Sequence, residues 1–96
     1  MSEEAEKLTE AETAKALKTI PGWELRADSI VREYTLKDFG SALAFVNRVG
    51  ELAEAADHHP DILIHRYKRV TLTLSTHSAG GLTGKDFALA RQIDAA

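Results

Sequence analysis

The 96-residue sequence contains no cysteine. That absence excludes thiolate catalysis, disulfide cross-links and every metal site with cysteine ligands, and it fits a reducing cytoplasm. No apolar run approaches the roughly 18 residues that a membrane span requires. The first six residues are acidic and lack the apolar segment of a signal peptide. We therefore expect a cytoplasmic protein that neither crosses nor binds a membrane.

An excess of positive charge is also missing, since the formal net charge is −3. Nucleic-acid binding draws much of its affinity from Lys and Arg side chains on phosphates. Basic residues cluster only at Arg66, Lys68 and Arg69, where a hairpin turn is predicted. Nucleic acid is therefore not an expected partner.

The length predicts a single domain over residues 1–96, with residues 1–7 as a disordered tail. Thr9 and Thr83 each precede an acidic residue by three positions, which is the capping-box spacing at the start of a helix. A longer helix is predicted from Asp38, its cap, to about Asp57. Its apolar stripe, expected to be well buried, comprises Phe39, Ala42, Leu43, Phe45, Val46, Val49, Gly50, Leu52 and Ala53.

Four strands are predicted, over about residues 23–26, 30–36, 61–66 and 69–77. In the last of them, alternation places His77 on the polar face together with Ser75. The order αββαββα predicts an α+β fold: a four-stranded antiparallel sheet with three helices packed on one face. The strands that contain Tyr34 and Leu74 are taken as edges at which a second copy could pair.

All four histidines, His58, His59, His65 and His77, lie within twenty positions. Histidine can both donate and accept a proton near neutral pH. Glu54 lies four residues before His58, so the two are expected to share a helix face.

The helix C-terminus and the neighbouring Asp57 should favour the protonated ring of His58. That makes His58 the candidate general acid and His77, from a neighbouring strand, the candidate base. Pro60 forces His59 into an extended conformation, so the adjacent rings should diverge.

Each of these residues also has a purely structural interpretation. A histidine at a helix C-terminus is a favourable cap, and Glu54 is a typical solvated helix charge. Asp86 occupies the capping-box position after Thr83. Ser75 and His65 fit ordinary polar strand positions. A zinc site is the competing chemistry, but adjacent histidines before a proline rarely point at one ion, so no metal is expected.

The motif Glu54-x-x-x-His58-His59-Pro60 is followed by six residues and Tyr67, by nine more and His77, and by eight more and Asp86. Taken together, these spacings resemble the pterin-4a-carbinolamine dehydratase family. The motif itself spans about a third of the chain, and the αββαββα order extends the resemblance to nearly all of it.

The resemblance implies dehydration of a 4a-hydroxytetrahydropterin, such as 4a-hydroxytetrahydrobiopterin, to the quinonoid dihydropterin. Histidine acid–base catalysis would require no metal and no cofactor, and an aromatic amino-acid hydroxylase would supply the substrate. His58, His59 and His77 are then the catalytic set, in which His59 either orients the pterin or shares the proton transfer. Asp57 and the strand around Ser75 would hydrogen-bond the ring, and Asp86 would support His77.

The resemblance also implies a homodimer or homotetramer. It leaves two non-catalytic alternatives open: a binding module that acts as a dimerisation cofactor for a transcription factor, and a pterin-handling factor without turnover.

Overall fold

The structure, a computed structural model, describes residues 6–96. The elements run in the order α1 (Glu10–Leu17), β1 (Glu24–Arg26), β2 (Ser29–Thr35), α2 (Phe39–Ala56), β3 (Asp61–His65), β4 (Arg69–Leu74), a 3₁₀ turn (His77–Ala79) and α3 (Gly84–Ala95). The predicted order αββαββα is confirmed. Most of the predicted tail lies outside the described residues, and its last two members, Glu6 and Lys7, have no regular secondary structure.

The helix caps that the sequence predicts are all present. Thr9 and Glu12 form the capping box of α1, and Thr83 and Asp86 form that of α3. At the start of α2, the Ser41 amide donates to the Asp38 carboxylate at 2.8 Å, and this bond lowers the pKa of Asp38 below its ordinary value. Both capping boxes and the Asp38 cap satisfy amides that a helix start otherwise leaves without partners.

The four strands form one antiparallel sheet in the order β1-β2-β4-β3. Alternate residues of β4, Val70, Leu72 and Leu74, are fully buried, whereas Thr71 and Thr73 between them are only partly covered. The buried face packs against the helices in one core, whose helical members are Ala42, Val49, Ala53, Phe87, Leu89, Ala90 and Ile93. The helices therefore cover one face of the sheet, as predicted.

The prediction that the strands of Tyr34 and Leu74 form sheet edges is wrong. Tyr34 belongs to β2 and Leu74 to β4, and these two strands pair with each other over six residue pairs. Because β2 also pairs with β1 along residues 29–31, and β4 with β3 along residues 69–73, neither β2 nor β4 is an outer strand of the sheet. The edges of this sheet are β1 and β3.

The apolar stripe of α2 is less buried than predicted. Ala42, Val49 and Ala53 are buried against the sheet, but Phe39 is 50% and Leu43 42% exposed. A helix packed on a sheet by one side buries a stripe near 3.6-residue spacing, and Phe39 and Leu43 lie beside that stripe. In residues 6–96, no helix has the length and apolarity needed to cross a membrane.

A cluster around Asp94 holds the C-terminal end of α3 to the sheet. The indole nitrogen of Trp23 donates to the two carboxylate oxygens at 3.0 and 3.1 Å, and Arg32 donates at 3.2 Å. The hydroxyl of Tyr34 donates to the same carboxylate. Burial, reinforced by this hydrogen bond to the Asp94 carboxylate, raises the pKa of Tyr34 well above its ordinary value.

The raised pKa of Tyr34 predicts a loss of stability in alkali. The protonated hydroxyl contributes its full stabilisation below about pH 10, the unfolded pKa, and loses it as the pH rises towards the folded pKa. We expect the unfolding free energy of wild type to fall more steeply above about pH 10 than that of Tyr34→Phe, which has no ionisable group there. Urea titrations of both proteins at pH 8 and pH 11 measure the difference. Parallel changes in the two proteins would contradict it.

Candidate active site

Asp57 ends α2 and turns the chain away from the helix axis. It adopts the left-handed conformation, with φ 52° and ψ 44°, and its amide donates to the carbonyl oxygens of Ala53 and Glu54. This is a common helix end, although glycine usually occupies the position. Because the helical path stops at Asp57, His58 does not continue the face that carries Glu54. The prediction that Glu54 and His58 share a helix face is therefore wrong.

His58 instead points into the protein and contacts Asp86. Its Nε2 lies 2.5 Å from Oδ1 of the Asp86 carboxylate, and only 10% of its side chain is exposed. The two residues come from the end of α2 and the first turn of α3, so this contact joins two helices. Nε2 of His58 is therefore engaged with Asp86, and Nδ1 is the ring nitrogen that this contact does not use.

Asp86 is fully buried, and both of its carboxylate oxygens are engaged. Besides the contact with His58, its Oδ2 accepts from the Thr76 hydroxyl at 2.8 Å and from the Thr83 amide at 2.9 Å. The hydroxyl groups of Thr76 and Thr83 are 2.9 Å apart. Among the described residues, every buried side-chain nitrogen and oxygen has a partner. The capping-box role of Asp86 is confirmed, and its side-chain partner is His58 rather than the predicted His77.

His59 takes the partner that was predicted for His58. Its Nε2 lies 2.6 Å from Oε2 of Glu54, and the two side chains are 58% and 77% exposed. The adjacent rings of His58 and His59 thus contact different carboxylates, one buried and one in solvent. This divergence agrees with the extended backbone that Pro60, itself half-buried, imposes before β3.

His77 lies outside β4, contrary to the prediction that it ends that strand. β4 stops at Leu74, and Thr76 forms an isolated antiparallel bridge with Gly81 across the 3₁₀ turn that begins at His77. The chain reverses here because Gly80 adopts a φ of 77°, which glycine tolerates without strain.

His77 shares a surface cavity with Ser75, although both residues lie beyond the end of β4 and not on its polar face as predicted. The cavity measures about 360 Å³, and the β1–β2 turn forms one of its walls. The Ser75 hydroxyl donates to the carbonyl oxygen of Asp28 in that turn at 3.0 Å. A larger cavity of about 440 Å³ is also lined by Ala27 and Asp28 of this turn, and its lining contains no histidine.

Within residues 6–96, no hydrogen bond joins His77 to His58 or His59. The connection between them is Asp86, which contacts His58 through one oxygen and Thr76 through the other. Thr76 directly precedes His77 in the chain. Asp86 therefore anchors the His58-His59 segment next to the strand end that leads to His77.

His65 stands apart from this cluster, as predicted. Its Nε2 contacts the hydroxyl of Thr71 at 3.0 Å and the carboxylate of Glu33 at 3.2 Å. Thr71 alternates with the buried residues Val70 and Leu72, so this trio lies on the sheet face opposite the helices. In the described part of the chain, no group of three or more His or acidic side chains is arranged to hold a metal ion.

Sequence reasoning missed Thr76 and Asp28. For Thr76 a signal exists, since Val70, Leu72 and Leu74 alternate on the buried face and Thr76 is the next member of that series. A hydroxyl at such a position needs a buried partner. Asp28 offers no comparable signal, because an aspartate in a tight turn is ordinary.

Comparisons with known proteins agree on one family. The profile of the family described as "Pterin 4 alpha carbinolamine dehydratase" matches residues 6–96. A protein of Thermomicrobium roseum, provisionally named a pterin-4-alpha-carbinolamine dehydratase, is 58% identical over 87 residues, which cover 91% of this chain and 92% of the relative. A protein of Nocardia farcinica with the same provisional name is 54% identical over 89 residues, covering 93% of each chain.

Two solved structures share the fold. The crystal structure of a transcriptional coactivator/pterin dehydratase from Brucella melitensis has a TM-score of 0.87 and 38% sequence identity, covering 93% of this chain and 96% of that one. A pterin dehydratase-like protein identified as a RuBisCO assembly factor in the alpha-carboxysome has a TM-score of 0.61, covering 76% of this chain and 83% of that one. Its sequence identity is 20%, so the likeness concerns the fold alone.

Proposed function

This chain belongs to the pterin-4a-carbinolamine dehydratase family, and on that premise we propose that it dehydrates a 4a-hydroxytetrahydropterin by histidine acid–base catalysis. One observation of the structure supports the proposal most directly. The buried carboxylate of Asp86 contacts both His58 and Thr76, and so fixes the segment of His58 and His59 beside the strand end that leads to His77. His58 is thereby linked through Asp86 to Thr76, the residue that directly precedes His77 in the chain.

The reaction needs two proton transfers and no redox step. The bond between C4a and its hydroxyl oxygen breaks while that oxygen receives a proton and leaves as water. The proton on N5 is removed, and its electron pair forms the double bond between N5 and C4a. Positioned acid–base groups accelerate such transfers by typically about 10²–10⁴-fold each.

Exposure divides the three histidines into two roles. His59 is 58% exposed and contacts Glu54, and His77 is exposed at its cavity, so both rings are open to a bound pterin. His58 has only 10% of its side chain exposed and its Nε2 is occupied by Asp86. In our proposal His59 and His77 exchange protons with the substrate, one protonating the hydroxyl and the other accepting from N5. His58 positions the segment that carries His59 through its contact with Asp86. This revises the sequence-based assignment of His58 as the acid.

Asp57 and Ser75, which were predicted to hydrogen-bond the pterin ring, lie at positions that suit lining the site. Asp57 is exposed at the end of α2, and Ser75 is engaged with the β1–β2 turn. We propose that both contribute to the walls of the pterin site. The substrate would come from an aromatic amino-acid hydroxylase, whose product this reaction recycles, and no cofactor takes part because the pterin is itself the substrate.

A binding role is the second candidate function. The outer side of α2 exposes the apolar side chains of Phe39 and Leu43, and the Brucella melitensis relative is described as a transcriptional coactivator as well as a pterin dehydratase. Such a role needs no turnover. An apolar helix face can serve self-association or another protein.

The first test is the rate of carbinolamine loss, followed by ultraviolet absorbance with substrate generated in situ by a phenylalanine hydroxylase. We expect purified wild type to accelerate the loss in proportion to its concentration. His65→Ala is the matched control, because His65 contacts Thr71 and Glu33 and none of the proposed catalytic residues, and it should act like wild type. No acceleration by folded wild type would sink the catalytic proposal and leave the binding role.

A further inference from the structure

The cavity beside His77 has the size of a small-molecule site. Its volume of about 360 Å³ falls within the roughly 300–1,000 Å³ range of ligand pockets. Ser75 and His77, which follow β4 in the chain, line one side of it together with Gly80 and Gly81, which have no side chains. The opposite wall is the turn between β1 and β2.

That turn is held in a defined position. Arg26 and Ser29 pair across the hairpin, so Ala27 and Asp28 are its two central residues. Ala27 adopts a φ of 54°, a left-handed conformation that non-glycine residues rarely take. The hydrogen bond from Ser75 to the Asp28 carbonyl oxygen fastens the turn to the end of β4. Strained backbone held by its surroundings is a feature of binding sites.

Asp28 is the one carboxylate among the residues that line this cavity. Its backbone carbonyl is engaged with Ser75, whereas within residues 6–96 its carboxylate accepts no hydrogen bond. The side chain is exposed. The lining of this cavity thus includes one acidic residue, Asp28 in the turn, and one histidine, His77, while its other residues are neutral.

We propose that Asp28 is a specificity-determining residue that binds the pyrimidine ring of the pterin. The inference rests on the proposed function and extends it. The 2-amino group and N3–H of a pterin form a pair of parallel donors with the spacing of an arginine fork, which a carboxylate accepts in a bidentate manner. With that edge at the β1–β2 turn, the opposite part of the bicyclic ring, which contains C4a and N5, lies towards His77.

The proposal predicts selection against the 2-oxo analogue, a reduced lumazine. There the 2-amino donor is replaced by a carbonyl oxygen, so the carboxylate of Asp28 would face an acceptor. A bound ring that covers the carboxylate without offering it a donor leaves both polar groups unpaired, and a site rejects such an analogue strongly. Wild type should therefore prefer the pterin, and Asp28 variants should lose that preference.

The experiment compares wild type with Asp28→Asn and Asp28→Ala on the 4a-hydroxy adducts of a pterin and of the matching lumazine. Asparagine suits the turn, and the bond from Ser75 goes to the backbone, so Asp28→Asn should fold normally. We expect KM for the pterin to rise by about 10–100-fold with kcat changed by less than about threefold, in line with a loss of uniform binding. Glu51→Gln, which removes an exposed carboxylate of α2 that pairs with Arg48, is the control for charge and should keep both constants.

Direct binding of 7,8-dihydropterin, measured by calorimetry on the same variants, separates the Asp28 contact from dehydratase catalysis. If wild type turns over and Asp28→Asn keeps its KM and its preference over the lumazine, the Asp28 proposal fails while the dehydratase stands. If wild type binds the dihydropterin without any turnover, the catalytic proposal fails, and a tenfold or greater weakening in Asp28→Asn still supports the Asp28 contact. Equal affinity in wild type and Asp28→Asn, or no binding by wild type, overturns it.

Discussion

Replacing either exposed histidine of the cluster, His59→Ala or His77→Ala, is expected to lower kcat for carbinolamine loss by about 10²–10⁴-fold. Each ring is proposed to exchange one of the two protons of the elimination, and both are open to a ligand. Neither ring is buried, so the fold should not depend on either of them. The measurement is the absorbance assay with circular dichroism and thermal unfolding of each variant. A decrease in kcat with an unchanged unfolding curve would identify a chemical role.

The pH dependence of the same variants tests the assignment further. An essential acid and an essential base produce a bell-shaped profile of kcat/KM for the free enzyme. Each single variant should lose one limb of that profile, because one titrating group has been removed. Coupled histidines report properties of the group rather than of single residues, so the comparison is between whole profiles. Retention of both limbs and of at least a third of the wild-type kcat in His59→Ala would remove His59 from the chemistry.

Glu54→Gln is the matched probe of the His59 contact. The substitution keeps the size of the side chain and its acceptor oxygen but removes its charge. In the structure this carboxylate lies 2.6 Å from Nε2 of His59 and makes no contact with His58. The effect of Glu54→Gln on kcat should therefore disappear in the His59→Ala background and persist in the His58→Ala background. The opposite pattern would restore the pairing that the sequence suggested.

Local patterns in the sequence predicted the elements of this fold well. Capping boxes at Thr9 and Thr83, and the cap at Asp38, depend only on residues three positions away, so their structural outcome follows from the sequence itself. The burial of Val70, Leu72 and Leu74 follows in the same way from the two-residue period of a strand. Each of these predictions rests on physics within a single element.

The contacts of the site depend on geometry that no local pattern contains. Four-residue spacing puts Glu54 and His58 on one face only if the helix continues, and the left-handed conformation of Asp57 ends it first. Non-glycine residues adopt that conformation uncommonly, so a spacing rule does not anticipate it. The partnership of His58 with Asp86 requires α3 to dock against the end of α2, which is a tertiary event. The edge strands were misassigned for a related reason, since the pairing of β2 with β4 joins segments far apart in the chain.

Asp86→Ala is expected to lower the free energy of unfolding by about 3–5 kcal/mol, because each buried donor left without an acceptor costs about 1–3 kcal/mol. Asp86 is fully buried, and its two oxygens serve His58, Thr76 and the Thr83 amide. Alanine would leave these donors buried without an acceptor and would also remove half of the α3 capping box. Because domains of this kind are stable by only about 5–15 kcal/mol, urea unfolding should detect the change at once.

Asp86→Asn separates the anchoring of His58 from the stability of the fold. Asparagine keeps the volume and one acceptor oxygen, so one of the two interactions can survive while the other meets an amide donor. A double-mutant cycle of Asp86→Asn with His58→Ala should give a coupling free energy of about 1–3 kcal/mol, whereas a cycle with His65→Ala should give none within error. If the His58 cycle also gives none, Asp86 acts through the cap of α3 alone. The contact between Asp86 and His58 would then contribute nothing measurable to the free energy of unfolding.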